Sequence, residues 1–141
     1  MAGPVVACPS CATKNRTPVS AKGHPRCPNC QTDLPWVVDA GDAEFASAVR
    51  TGQLVIVDLW APWCGPCRMV APILDKLSRD FAGRLKVVKV NVDHAPRTAS
   101  RFEAQSIPMM LFMRNGEVIN TVIGAQSEHV MRTLTERYLR G

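Results

Sequence analysis

The six cysteines of this 141-residue chain form three Cys-x-x-Cys pairs: Cys8/Cys11, Cys27/Cys30 and Cys64/Cys67. Thiol chemistry runs through the thiolate, so the surroundings of each pair decide what it can do. Cys64-Gly65-Pro66-Cys67 follows Leu54 to Trp60, a nearly continuous apolar run that reads as a central buried strand. After it comes a stretch to Ala82 with Met69, Val70, Ile73, Leu74 and Leu77 at helical spacing, ended by Gly83. Cys64 then stands at a helix N-terminus, where free N–H groups and the macrodipole favour negative charge. Gly65 and Pro66 fit the first turn, where proline's missing N–H costs nothing. Cys67 falls one turn on, close enough to close a small disulfide ring. The chemistry implied is thiol–disulfide exchange: Cys64 attacks a disulfide, a mixed disulfide forms, and Cys67 resolves it.

The other two pairs lack that setting, because neither leads into an amphipathic helix. Their spacing, with 15 residues between Cys11 and Cys27, matches the two knuckles of a tetrahedral four-cysteine zinc site. Residues 1–34 contain no Phe, Tyr or Trp, and Leu34 is their only Leu. Such a segment cannot bury enough apolar surface to fold alone, and bound metal would supply the missing energy. One structural Zn²⁺ held by Cys8, Cys11, Cys27 and Cys30 is the expectation. His24 is left out because four thiolates close the site. Two further redox disulfides are the competing reading.

The elements that must position these cysteines divide near Leu34-Pro35, giving residues 1–34 as a zinc-binding ribbon and 35–141 as an α/β domain. In the second region Trp36 to Val38 reads as a short strand, and Asp42 as the N-cap of a helix over 43–51 ended by Gly52. Leu85 to Val92 reads as a second central strand, followed by a short helix over 95–103. Two strands, 109–113 and 117–123, flank Arg114-Asn115-Gly116, an Asn-Gly hairpin signal. A last amphipathic helix covers 127–139. Parallel crossover units followed by a hairpin imply a mixed sheet with helices on both faces. Pro72, inside the long helix, is expected to kink it.

Composition narrows the function. Apolar residues make up 46% and charged residues 21%, as in a soluble globular protein. No apolar run spans a bilayer and no signal peptide precedes Cys8, so a cytoplasmic location is expected. The net charge of +5 is thinly spread. Residues 1–34 set Lys14, Arg16, Lys22 and Arg26 against Asp33, and the rest carry 13 basic and 11 acidic side chains. With no basic run and no aromatic residue in the ribbon for base stacking, nucleic acid is not an expected partner, nor is a membrane. No Gly-rich dinucleotide fingerprint occurs, so no organic cofactor is expected.

The stretch Trp60-Ala61-Pro62-Trp63-Cys64-Gly65-Pro66-Cys67-Arg68 resembles the active-site signature of thioredoxins. The likeness extends over nearly all of 36–141 and includes Val57-Asp58-Leu59-Trp60, Val88 to Asp93 and Ile107-Pro108. It implies a thioredoxin-like fold and protein-disulfide reductase activity. Disulfide-containing proteins would be the substrates and an NADPH-dependent thioredoxin reductase the electron donor. Asp58 interrupts an apolar strand, and a buried carboxylate is costly and tends to stay protonated. The resemblance makes it the general base for Cys67, with Lys89 beside it. By the same resemblance Pro108 is cis and faces the active site, Ile107 pairs with substrate backbone, and Trp63, Gly65, Pro66 and Gly124 belong to the substrate-contacting surface. Trp60 packs beneath the thiols. Met109 and Ser106 depart from the family's commoner Thr and Gly. A four-cysteine module ahead of such a domain resembles the zinc-containing bacterial thioredoxin 2 type. The alternative function is a redox-controlled binding or holdase module that uses the zinc segment; a disulfide oxidant or isomerase is a third reading.

Overall fold

The computed structural model describes residues 2–140. Its elements in chain order are β1 (Ala2–Ala7), β2 (Lys14–Pro18), β3 (Val37–Asp39), α1 (Phe45–Val49), β4 (Leu54–Trp60), α2 (Gly65–Asp80), β5 (Leu85–Asn91), α3 (Pro96–Arg101), β6 (Met109–Arg114), β7 (Glu117–Ile123) and α4 (Glu128–Arg140). β1 and β2 form a separate antiparallel pair. At Gly3 a Cβ would run into the Thr17 carbonyl, so β1 can approach β2 this closely only with glycine there. The other strands form one mixed sheet in the order β3-β5-β4-β6-β7. β3, β5 and β4 run parallel, and β6 and β7 run antiparallel to their neighbours. Asn115 and Gly116 both take positive φ in the β6–β7 turn, which the Asn-Gly signal anticipates.

Successive side chains of a strand point to opposite faces, and β4 sorts its residues accordingly. Val55, Val57 and Leu59 join a cluster with Val88, Val90, Leu111 and Phe45, Ala48 and Val49 of α1. Leu54 and Ile56 join one with Val87, Met110, Phe112, and Val70, Leu74 and Leu77 of α2, plus Met131 of α4. So α1 covers one face, and α2 and α4 the other. Asp58, even-numbered like Leu54 and Ile56, falls on the α2 side. The parallel register sets it beside Lys89 of β5.

Two local expectations change. Asp42 does not cap α1, which is shorter than 43–51 and has Glu44 at its N-cap without a side-chain bond. Instead Asp42 caps α3. Its Oδ1 accepts from the Thr98 N–H (2.8 Å) and Thr98 Oγ1 (2.7 Å), and its Oδ2 from the Arg97 N–H (3.1 Å). The N-cap residue of α3 is Ala95, whose methyl cannot accept a bond, so the orphan N–H groups take an acceptor from across the chain. Met69 is not on the buried face of α2 but 68% exposed. The buried stripe is Cys67, Val70, Leu74 and Leu77, and Met69 lies a helical step to one side. Pro72 sits inside a continuous α2.

Replacing Asp42 with Ala strips α3 of its borrowed cap and should lower the thermal midpoint by about 4 °C, read by circular dichroism. Glu44→Ala, at a position without a side-chain bond to its helix, should move it less.

Candidate functional site: a dithiol centre and a four-cysteine cluster

Cys64 is the N-cap of α2, in an extended conformation, and its sulfur accepts the Cys67 N–H at 3.2 Å. Pro66 falls in the first turn. Cys64 and Cys67 are joined in a disulfide with their Cα atoms 5.3 Å apart, so the structure is that of the oxidised form. Both side chains are nearly buried and pack with Ala61, Trp60, Val92 and Ile107. The Ile107–Pro108 peptide is cis, and the Ile107 carbonyl oxygen lies 3.8 Å from Cys64 Sγ. The Pro108 carbonyl accepts the Gly124 N–H at 2.8 Å, with Gly124 at a φ of 89° that glycine adopts without strain. Trp63 presents an indole that is 68% exposed, its N–H directed at the Asp93 carboxylate (3.1 and 3.3 Å). Arg68 donates to the Pro62 carbonyl at 3.0 Å, tying the first turn of α2 to the loop before it.

Behind Cys67 lies a cavity of about 120 Å³ lined by Asp58, Trp60, Cys67, Arg68 and Lys89, among others. Asp58 is 1% exposed, and its Oδ1 has no hydrogen-bond partner. Burial raises its pKa from the ordinary 3.8 to about 6, against the opposing pull of the Lys89 charge. A solvent-facing position at a strand edge is therefore excluded for Asp58, which sits in the central strand. Lys89 is half-buried, with its Nζ 5.5 Å from the centre of the Trp60 ring. Trp60 packs against the thiols, and its own N–H is buried without a partner. Met109, Met110 and Met113 are buried in the sheet, and His94 and His129 are exposed.

The remaining four cysteines converge, with all their sulfurs within 4.8 Å of one another. Cys8 and Cys30 are 3.5 Å apart, and Cys11 and Cys27 3.6 Å. Tetrahedral zinc–thiolate bonds of about 2.3 Å place sulfurs about 3.8 Å apart, so the donor set fits such an ion. The two knuckles are built alike. The Cys8 N–H donates to Thr13 O and the Ala12 N–H to Cys8 O; the Cys27 N–H donates to Thr32 O and the Gln31 N–H to Cys27 O. Ala12 and Gln31 take matching positive φ values of 63° and 65°. Asn29 and Thr13 bond to Cys11 and hold its thiol down at about 5; Thr32 lowers Cys30 in the same way. Such groups favour thiolate, the metal-binding form. His24 pairs with Asp33 at 2.9 Å, away from the cluster.

The expected site residues thus fall into two groups. Cys64, Cys67, Asp58, Lys89, Trp63, Gly65, Pro66, Ile107, Pro108 and Gly124 gather around the N-terminus of α2 and the cavity behind it, and Cys8, Cys11, Cys27 and Cys30 form the cluster. The sequence reading missed Thr13 and Thr32, although a repeated Cys-Pro-x-Cys-x-Thr at 8–13 and 27–32 marks them. It also missed the ties made by Asp93 and Arg68, which no local pattern announces.

Comparison with known proteins places the larger region. A family model described as Thioredoxin matches residues 36–136. A thioredoxin from Synechocystis sp. is 44% identical over 99 residues, 70% of this chain and 92% of that protein. One from Haemophilus influenzae is 47% identical over 90 residues, 63% of this chain and 84% of its own length. A chloroplastic M-type thioredoxin from Pisum sativum is 48% identical over 85 residues, 60% of this chain; the matched part is about half, 49%, of that longer protein.

Asp58 makes a measurable stability prediction. The folded state holds its proton up to a pH of about 6, while the unfolded chain releases it near 3.8. Between those values the folded state binds more protons, so this group's contribution to stability falls as pH rises through the window. Asp58→Asn should raise the unfolding free energy by about 3 kcal/mol at pH 7.5 and by little below pH 4. Urea titrations across that range read the difference.

Proposed function

The chain belongs to the thioredoxin family, and on that footing we propose how its residues divide the work of reducing protein disulfides. It is a thiol–disulfide oxidoreductase, and Cys64–Cys67 is its redox pair. The observation that carries the assignment of roles is the Cys64–Cys67 disulfide at the start of α2, with Cys64 as the helix N-cap. In the reduced protein Cys64 is the nucleophile, its thiolate favoured by the free N–H groups and dipole of α2. It attacks one sulfur of a substrate disulfide, and the other sulfur leaves as a thiolate and takes up a proton. Cys67 then gives its proton to the Asp58 carboxylate and attacks Cys64. The Cys64–Cys67 disulfide forms, the second substrate thiol departs, and two electrons have passed to the substrate.

The shared cavity supports Asp58 as that proton acceptor, since Oδ1 has no competing partner. Lys89 offsets part of the burial penalty and so keeps the carboxylate accessible near neutral pH. Trp63, Gly65, Pro66, Ile107, Pro108 and Gly124 form the contact surface for substrate backbone beside Cys64. Support for that surface comes from the exposed indole and from the nearness of the Ile107 carbonyl to the Cys64 sulfur. Family members act on disulfide-containing proteins and draw electrons from a reductase; an NADPH-dependent thioredoxin reductase is the donor proposed here.

Residues 1–34 are assigned as a ribbon that holds one Zn²⁺ through Cys8, Cys11, Cys27 and Cys30, with 35–141 as the redox domain. The metal would supply a cross-link where no sizeable apolar core exists. A reducing compartment, the cytoplasm, suits that chemistry, because thiolate ligands stay reduced there. Among the described residues no helix is long and apolar enough to cross a membrane.

Cys64→Ser should abolish insulin-disulfide reduction, whereas Cys67→Ser should arrest the reaction as a mixed disulfide visible by non-reducing mass spectrometry. Insulin reduction retained by the Cys64 variant would sink the assignment.

The purified chain should carry one zinc, measured by elemental analysis, that a chelator removes together with the slow amide exchange of residues 8–32. Fast reaction of all six thiols with no zinc release would show the ribbon cysteines to be extra redox pairs.

A further inference from the structure

Lys86 is fully buried in β5, and none of the ion pairs among the described residues involves it. Its register partner in β4 is Val55, which places it on the α1 face among apolar side chains. A buried ammonium without a carboxylate is costly, so its donors must be answered by other groups. Three groups answer them. Nζ lies 2.6 Å from the Val19 carbonyl oxygen, 2.7 Å from the Ala48 carbonyl oxygen, and 4.1 Å from the centre of the Trp36 ring. Ala48 lies at the end of α1, where helix carbonyls lack partners. Val19 belongs to the segment between the two cysteine knuckles. Beside it, the Pro18 carbonyl accepts the Trp36 indole N–H at 2.8 Å. The Val19 side chain is 6% exposed and packs in the same cluster as Trp36, Val38 and Ala48.

We propose that Lys86 and Trp36 form a buried joint that fastens the cysteine module to the redox domain by capturing the Pro18 and Val19 carbonyls. The reasoning is one of satisfied groups. The sheet itself has no use for a lysine at a position whose neighbours are Val55, Val88 and Ala48, and an apolar residue there would avoid the desolvation cost. What only a long donor can do is bond a carbonyl delivered from outside the domain while stacking its charge on Trp36. The captured dipeptide sits after Cys8 and Cys11 and before Cys27 and Cys30. Fixing it therefore restrains both knuckles at once. At its far end the module closes on itself, with Leu34 packed against Cys8 and Cys27, and the chain then runs through Pro35 directly into Trp36, the same tryptophan that holds the Pro18 carbonyl.

The test uses the full chain with one equivalent of Zn²⁺ supplied, and hydrogen exchange read by mass spectrometry. In Lys86→Met the Val19 carbonyl loses its donor and must seek water. Amides of residues 8–32 should then exchange about tenfold faster, the equivalent of one lost buried bond. Exchange in β4, β5 and β6 should stay as in the parent, and insulin reduction within about twofold. Trp36→Phe keeps an aromatic face under the ammonium and removes only the N–H to Pro18, so it should loosen the same residues by less. It also serves if the Met variant does not fold. Unchanged exchange of 8–32 in the variants that fold overturns the joint. Loss of protection by the sheet and the module together also overturns it, because Lys86 would then support the domain's core.

Discussion

In β4, seven residues pair with β5 on one side, five of them also pair with β6 on the other, and each side chain is committed to one face or the other. A slip of one residue would exchange the faces. Asp58 would move from the α2 side to the α1 side, away from Cys67, and the apolar set that anchors α2 would face the wrong helix. The chemistry is tied to that register, because only four residues separate the strand from α2, with Cys64 as the helix N-cap and Cys67 in its first turn. The same pairing sets Lys89 level with Asp58. Strand alignment thus places the acid and its electrostatic partner where a helix terminus delivers the sulfurs. The register is specified by the apolar residues around Asp58, not by Asp58 itself, which resists burial.

The N-terminal module follows a different logic. Its apolar cluster consists of Cys8, Cys27 and Leu34, with Val6 and Cys11 against it. Order comes instead from directed bonds: paired turns that close around each knuckle, threonine and asparagine groups that bond the sulfurs, and an arginine of β2 that donates to the Gly3 carbonyl at 3.0 Å. At Gly83, in the turn after α2, a Cβ would strike the Asp33 carboxylate, so the domain gives up a side chain where the module approaches. Each half accommodates the other at specific atoms: the α2-side apolar cluster is built from the redox domain alone, while the α1-side cluster takes in Val19 of the module.

Much of this was legible in the amino-acid sequence. Near-continuous apolar runs, the Asn-Gly turn and helical spacing locate the strands and helices of the larger region, because burial on one or two faces leaves a strong pattern. The Cys-x-x-Cys contexts separated the dithiol from the cluster, because a helix start and a knuckle need different neighbours. Asp58 showed itself as a carboxylate inside an apolar strand. Lys86 breaks its own strand in the same manner, but the carbonyls that answer its charge come from distant segments that only the fold brings to it. Asp42 was legible as a cap but not as the cap of α3, since the helix it serves is brought to it only by packing. Met69 fails for a narrower reason: Val70 and Ile73 near it in α2 are apolar, and only the phase of the buried stripe shows that it lies to one side of them. The resemblance to a known family, not the residues alone, supplied the cis bond at Pro108, which sequence statistics would have made trans.

The three tryptophans of the chain stand at two places only. Trp36 lies under the Lys86 ammonium, sealed from water, while Trp60 packs against the sulfurs and Trp63 lies open beside them. An indole's emission depends on its solvent and on nearby charge or sulfur. The molecule therefore carries separate optical reporters, one at the seam between its halves and two at its redox pair. One indole is placed to report on the seam, and the other two on the sulfurs.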